Sequence, residues 1–356
     1  MHIPVVKELK TRGLMDSHFV GVVASARVWC VRDRDAEVGR VIGEAPMIVE
    51  THQWGLIYRQ IWARLGCSDY QPPASVTRIV VRDGEAKVVL AVGSERQFDI
   101  VVGADGYRSV THPLVERDAT PAYCEYPAWR GLIDEAMLPH LGLAADAINA
   151  VGTERGHSLF YLVPGDSGQV PPGQRRLNWL WYDARAPEGL VGPFGVAGWR
   201  PGEGLSDSQR AYLLSAARER MPPWHAHVIE STPAPYMQPI FEREARRYAA
   251  GRVCPVGDAD SIARPHTGSG TAKAIQDAFA LGDALDECST PVEALSRYDG
   301  MRRDAANALT RLGREMGEAQ VTSCPPWSEL GPDAFASGSR RSAHQRAYYV
   351  AASTGS

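Results

Sequence analysis

Apolar positions along the chain keep changing their spacing, and the changes mark out its elements. Val5, Val6, Leu9 and Leu14 fall mostly on one helical face over residues 4 to about 15, with Gly13 as a C-terminal stop. Residues 20–30 and 37–49 are rich in valine and isoleucine around Arg32-Asp33-Arg34-Asp35, which predicts a strand pair, and a second helix follows over about 53–65. Val80 and Val81 before Asp83-Gly84, with Val88, Val89 and Leu90 after it, predict a hairpin over 76–92. Phe98-Asp99-Ile100-Val101-Val102 is nearly all apolar, as expected of a short strand covered on both faces in a parallel sheet.

Over residues 122–242 the pattern becomes aromatic and strand-like, notably at 158–163 and 177–182. A largely antiparallel sheet is expected there, with a Pro/Gly-rich loop at 164–173 and a helix over 206–220. Further on, a strand ends in Gly257-Asp258 and is followed by a glycine-rich loop and a helix. Ile275, Phe279 (or Ala278), Gly282 and Leu285 recur there at helical spacing. A long helix is predicted from Pro291 to about Gln320, and the Ser, Gly, Arg and Ala content from Pro325 onward suggests a mobile tail.

The length of 356 residues predicts two interleaved domains, and 44% hydrophobic with 22% charged residues is a globular composition. With 38 basic against 42 acidic residues there is no basic excess to neutralise phosphates, so nucleic acid is not an expected partner. Six cysteines without a Cys-x-x-Cys pair signal neither a disulfide framework nor a metal site, and a reducing cytoplasm suits them. No apolar run approaches the roughly 20 residues a bilayer requires. Nor does any Gly-x-Ser-x-Gly or His-Glu-x-x-His occur to suggest a hydrolase.

The chemistry concentrates between Gly251 and Ala278. Gly268 and Gly270 are expected at a helix N-terminus, whose free N–H groups and positive dipole end suit an electron-rich ring atom approaching over glycine. Asp258, at the carboxyl end of its strand, is placed to accept hydrogen bonds from the hydroxyls of a sugar-like chain. A bare Gly-Asp turn followed by a capped helix is the plainer reading of the same residues.

Arg264-Pro265-His266-Thr267-Gly268-Ser269-Gly270-Thr271-Ala272-Lys273-Ala274, following Gly257-Asp258, resembles the second FAD-binding motif of the class A flavoprotein aromatic hydroxylases, the para-hydroxybenzoate hydroxylase-like family. Asp105-Gly106-Tyr107-Arg108-Ser109 is similar to that family's Asp-Gly motif. Trp129-Arg130-Gly131-Leu132-Ile133 and Asn178-Trp179-Leu180-Trp181-Tyr182 resemble its 2,6-dihydroxypyridine 3-monooxygenase branch. The resemblance extends over most of residues 1 to about 320.

It implies an α/β fold: an N-terminally truncated, Rossmann-like FAD/NAD(P)-binding domain (residues 1–115 and 243–290) interleaved with an α+β substrate domain (116–242), a long C-terminal helix (291–324) and a flexible tail (325–356). It also implies FAD as cofactor, NAD(P)H as reductant, and hydroxylation of a phenolic or N-heterocyclic substrate by dioxygen through a flavin C4a-hydroperoxide. By the same resemblance Arg59, Asp105, Gly106, Gly257, Asp258, Gly268, Ser269, Gly270 and Thr271 contact the cofactor, and His266 with Pro265 stands at the reacting ring. His157 is a secondary acid/base candidate, and Trp179, Trp181 and Tyr182 are candidate pocket walls.

Three departures accompany the likeness. The sequence contains no Gly-x-Gly-x-x-Gly to cradle a pyrophosphate, His112 stands where the family usually carries arginine, and the pattern after Gly257-Asp258-Ala259 is altered at Asp260. The chain therefore also admits a flavin-free homologue that binds a small molecule or a partner, dimerising to cover an exposed sheet edge, or a flavin-independent rearrangement enzyme.

Overall fold

The computed structural model describes residues 3–16, 19–34, 36–65, 70, 74–82, 84–191 and 203–331. In chain order the elements are α1 (Ile3–Thr11), β1 (Val22–Val31), β2 (Arg40–Thr51), α2 (Trp54–Trp62), β3 (Val76–Arg82), β4 (Glu85–Leu90), β5 (Glu95–Phe98), β6 (Val101–Gly103), α3 (His112–Val115), β7 (Ala122–Asp134), β8 (Ala147–Thr153), β9 (Gly156–Val163), β10 (Arg176–Asp183), α4 (Glu188–Val191), α5 (Asp207–Arg220), α6 (Pro223–Ser231), β11 (Tyr236–Glu242), β12 (Val253–Pro255), α7 (Gly270–Glu287) and α8 (Pro291–Gly317). They form two compact units: Met1–Arg64 with Glu125–Ile240 and Gly317–Ser356, and Leu65–Cys124 with Phe241–Met316.

The first unit is built on a seven-stranded sheet of order β11-β7-β10-β9-β8-β1-β2. The expected strand pair forms as β1 and β2, but β1 runs parallel to β8, with Trp29 opposite Ala150. The first 64 residues therefore extend the large sheet, whereas the expected division grouped residues 1–115 with the glycine-rich loop. Alternation along β7, β9 and β10 puts Trp129, Phe160, Trp179 and Trp181 on one face, all fully buried. Helices α5 and α6 cover that face: Trp179 Nε1 donates to Thr232 Oγ1 at 2.8 Å, Phe160 meets His225 edge-on, and the Arg220 guanidinium lies over Trp181. A capping box of Ser206 and Gln209 starts α5 at the expected place.

This packing explains a glycine in the Trp129–Ile133 run. A Cβ at Gly131 would stand 2.5 Å from the Trp179 indole. Gly131→Ala is expected to cost about 1–3 kcal/mol, because the overpacked ring must leave its hydrogen bond to Thr232. Urea unfolding followed by tryptophan fluorescence measures this, and an unchanged midpoint would contradict the packing account.

Part of the opposite sheet face is covered by the C-terminal segment. Trp327 stacks on Trp29 at 4.7 Å and lies over Gly152, where a Cβ would meet its ring at 2.5 Å. Arg40 holds the segment by donating to the carbonyls of Ser328, at 2.7 Å, and Leu330, at 3.1 Å. Residues 325–331, expected as the start of a mobile tail, are thus anchored by a buried indole, and residues 332–356 lie outside the described residues. The long helix ends close to expectation, α8 passing into a π-helical turn at Glu318–Thr322.

The second unit contains the meander β3-β4-β5, the parallel pair β12-β6, and helices α3, α7 and α8. Its core gathers Tyr248, Cys254, Leu281, Ala284, Leu295 and Tyr298. The hairpin forms as expected around Gly84 at φ +78°, Asp83 lying outside the described residues. The single strand expected over 98–102 is divided instead: β5 ends the meander at Phe98, and β6 begins at Val101 as the parallel partner of β12. Val102 is 42% exposed, so β6 is not covered on both faces among the described residues.

Candidate active site

Two carboxylate-bearing turns leave neighbouring strand ends. In the parallel pair Gly103 is opposite Pro255, so Asp105-Gly106 and Gly257-Asp258 both follow the carboxyl ends of β6 and β12, where open α/β sheets bind ligands. The 3-10 turn Gly106–Arg108 packs against Gly257–Ala259, which packs against α7. Glycine is required at 257 on two counts: φ is +61°, and a Cβ would come within 3.1 Å of Ala274 on α7.

A buried ion network fixes this arrangement. Asp277, fully buried on α7, accepts from the Gly257 amide at 3.0 Å, from Lys273 Nζ at 3.0 Å and from Arg302 Nε of α8 at 2.7 Å. Lys273, 1% exposed, also donates to the Gly257 carbonyl at 2.9 Å. Arg243 collects the carbonyls of the same turn: Asp260 O at 2.6 Å, Ala259 O at 2.8 Å and Asp258 O at 3.2 Å. The loop that follows is tied by Arg264 Nε to Glu242 Oε2 at 2.6 Å, and Arg314 holds the other oxygen of Glu242 at 2.8 Å.

The helix forms as expected, but its buried face is not the one carrying the recurring apolar residues. Ala272, Lys273, Asp277, Ala280, Leu281 and Ala284 are buried, Ile275 and Phe279 are only partly so, and Leu285 is exposed. Apolar periodicity could not place this face, because its centre is an ion pair.

Two of the three departures meet each other. His112 Nδ1 lies 3.4 Å from Asp260 Oδ1, with both side chains buried. Burial pushes the Asp260 carboxyl up to about 8, and burial together with the nearby Arg243 lowers His112 to about 4. The pair is a neutral acid beside a neutral imidazole near pH 7.

Around the glycine-rich loop, Pro265–Thr267 forms a 3-10 turn, Gly268 takes φ +64° and α7 starts at Gly270. The first-turn amides of α7 have no acceptor within the helix, and Ser269 at its N-cap turns its hydroxyl to Thr267 O, 3.1 Å away, rather than capping them. Among the described residues no heavy atom comes within 4 Å of a Cβ built on Gly106, Gly268 or Gly270. Asp258, Gly268 and Thr271 are exposed, whereas His266 and Ser269 are buried. This is an open backbone cradle with the Asp258 side chain beside it, its carboxyl raised above the ordinary carboxylate range by burial against the pull of Lys273 and Arg243, a group set that fits an electron-rich ring and a polyol chain.

Other sequence candidates have different surroundings. Asp105 is exposed, but its Oδ2 accepts from Val110 N at 2.7 Å and Thr111 Oγ1 at 3.3 Å and so also holds its own turn. Arg59 lies on α2 of the first unit and donates to the Asp166 carbonyl. His157 is 2% exposed beside Trp29 and Tyr182, and burial lowers it to about 3, so it is a core imidazole. Trp179, Trp181 and Tyr182, weighed as pocket walls, are core residues with at most 1% exposure.

The profile of the family described as FAD binding domain matches residues 226–312, and that of FAD binding domain-like matches residues 123–190. The chain is 31% identical over 239 residues to aurachin C monooxygenase/isomerase of Stigmatella aurantiaca, covering 65% of this chain and 54% of that protein. It is 25% identical over 265 residues to 2,6-dihydroxypyridine 3-monooxygenase of Paenarthrobacter nicotinovorans, covering 70% of this chain and 64% of that one. The chain thus spans between about half and two thirds of these relatives' length. The solved 2,6-dihydroxypyridine-3-hydroxylase from Arthrobacter nicotinovorans superposes with a TM-score of 0.78 at 20% identity, covering 93% of this chain and 85% of that one, which shows a shared fold.

Proposed function

We propose that this chain, a homologue of the class A flavin-dependent aromatic monooxygenases, binds FAD at the β12–α7 loop and serves the hydroxylation of a small aromatic or N-heterocyclic substrate by dioxygen. The observation that carries the reading is the N-terminus of α7 at Gly268 and Gly270, without a side-chain cap, with Asp258 beside it. When bound, the flavin would supply oxygen activation after reduction by a nicotinamide cofactor.

The chain's own residues have binding and orienting tasks. The first-turn amides of α7, Gly270 and Thr271 among them, are placed to stabilise negative charge on the pyrimidine edge of a reduced ring. Asp258 accepts from ribityl hydroxyls, and Gly106 and Gly257 keep the two turns clear of side chains. His266, beside Pro265, is assigned the substrate's hydroxyl proton, a role suited to an imidazole. Arg59 is retained as a cofactor contact through its family position alone. The residues present fit the ring and ribityl portions, and the sequence offers no Gly-x-Gly-x-x-Gly for the pyrophosphate. The thiols of Cys30, Cys254, Cys288 and Cys324, free among the described residues, support a reducing, cytoplasmic setting. No described helix is long and apolar enough to cross a membrane.

The test is a flavin titration of the 356-residue chain, reading the visible band that survives desalting. Wild type is expected to retain the band and Asp258→Ala to lose it. Equal retention by the variant, or none by the wild type, would overturn the site assignment.

A further inference from the structure

The connection from the Gly257-Asp258 turn to α7 is gripped at both ends by three consecutive residues of the second unit. Arg243 holds its start, taking the carbonyls of Asp258, Ala259 and Asp260 and exchanging backbone hydrogen bonds with Ile262 at 2.8 and 3.0 Å. Glu242 and Glu244 bond on the opposite side, as alternation along an extended segment requires. Glu242 accepts from Arg264 Nε at 2.6 Å and from Arg314 Nε at 2.8 Å, while Arg314 Nη2 and Arg311 Nη1 reach Glu244 at 3.0 and 2.9 Å. Burial opposes the charge of Glu242, yet the hydrogen bonds from Arg264 and Arg314 hold its carboxyl below the ordinary range. The end of the connection, Arg264, is thereby linked to α8 through Glu242.

Contact with α8 is also direct. Gly313 is buried inside that helix, and a Cβ on it would stand 3.0 Å from Arg264 N and 3.1 Å from Arg264 O. Glycine weakens a helix interior relative to alanine, and here its missing side chain lets the Arg264 backbone lie on the helix. The turn Pro265–Thr267, which carries His266, follows at once. An alanine at 313 could be accommodated only if Arg264 gave way by a few tenths of an ångström. Proline at 265 fixes its own φ, so the displacement passes into the turn rather than being absorbed there. The same helix supplies a comparison: Gly300 is exposed, and a Cβ there would meet nothing within 4 Å among the described residues.

We infer that Glu242 and Gly313 are positioning residues for His266, setting where the Pro265–Thr267 turn stands before α7. Glu242 draws Arg264 in, and Gly313 sets how close it comes. The place of the imidazole is therefore fixed from α8 as well as by the loop's own chain. The use made of that imidazole, taking the substrate's hydroxyl proton, rests on the proposed function, whereas its placement is measurable in the chain without flavin.

The test reads the His266 ring by nuclear magnetic resonance in the full chain, with histidine carbon-13 labelled at Cε1 and the His266 resonance assigned by its disappearance in His266→Gln. Gly313→Ala and Glu242→Gln are each expected to displace that resonance, and Gly300→Ala to leave it in place. Glu242→Asp, which keeps the charge, should displace it less than Glu242→Gln. In the chain loaded with flavin, Gly313→Ala should weaken retention about three- to tenfold, the scale of a sub-ångström misplacement, and Gly300→Ala should not. Circular dichroism checks folding, and if Glu242→Gln does not fold, Gly313→Ala decides. A resonance unmoved by Gly313→Ala, one moved equally by Gly300→Ala, or undiminished flavin affinity in Gly313→Ala overturns the inference. Should wild type bind no flavin while Gly313→Ala still displaces the His266 resonance, the proposed function fails and the positioning stands. An unmoved resonance in a chain that retains flavin sinks the inference alone.

Discussion

Asp277→Ala is expected to destabilise the protein by about 3–5 kcal/mol, the usual consequence of removing one member of a buried ion network. The carboxylate is fully buried and neutralises Lys273 and Arg302 while accepting from the Gly257 amide. Without it, one cation that is 1% exposed and a second that is mostly buried face each other unpaired, and the amide that turns the chain at Gly257 loses its acceptor. Asp277→Asn keeps an acceptor but not the charge, and should fall between wild type and alanine. Urea unfolding monitored by far-ultraviolet circular dichroism reads the difference. A shift below about 0.5 kcal/mol for alanine would mean the network is not what holds the turn. The same variant should weaken flavin retention even under folding conditions, because the Gly257-Asp258 turn hangs on the removed oxygen.

Acidification should destabilise the protein steeply below about pH 6.5. Burial lowers four imidazoles: His52, His157 and His225 to about 3, and His112 to about 4. Each folded value lies below the ordinary 6.5, so the unfolded chain binds protons that the folded chain refuses. The stability each group contributes is complete above pH 6.5 and is lost as pH falls towards its folded value. Between pH 6.5 and 5 the loss is on the order of 2 kcal/mol per imidazole.

Asp260 acts with the opposite sign. Its carboxyl is raised by burial to about 8, so the folded state keeps a proton that the unfolded state has released, and stability falls as pH rises from about 4 to 8. Asp258, also raised by burial, acts in the same direction, so four groups against two leave a net loss on the acid side and, above pH 6.5, a decline due to the two carboxyls. Melting temperatures over pH 4.5–8 should therefore peak near pH 6.5, and His225→Gln should flatten the acid limb. Undiminished stability at pH 5 would show these imidazoles to be less enclosed than the structure makes them.

How much was legible in the sequence depended on whether the signal was local. The hairpin at Gly84, the capped start of α5 and the glycine-rich entry to α7 rest on turn, cap and backbone chemistry within a few residues, and they form where expected. Gly257-Asp258 was legible for the same reason, as a strand end before a glycine-rich loop, whereas Asp105-Gly106 was marked by its resemblance to the family's Asp-Gly motif. Their contact was not legible, since it depends on β6 and β12 pairing across about 150 residues. Nor could two isolated departures, His112 and Asp260, be seen as partners until the fold brought their side chains 3.4 Å apart.

Aromatic alternation in β10 suggested a substrate wall and proved to be core. Alternation states which residues share a face, but which face another element covers is a tertiary matter. Here α5 and α6 took the tryptophan face, and Trp327 took part of the other. By itself the sequence determined most of the elements and their turns, because backbone conformation and amphipathic period are short-range properties, and resemblance marked the Asp105-Gly106 motif. Only the tertiary structure decided that α7 faces inward through Lys273 and Asp277, that residues 1–64 extend the large sheet, and that the Arg264 backbone lies against Gly313 of α8. Burial, and with it the cost or use of every charge, is set by the residues that distant segments bring together.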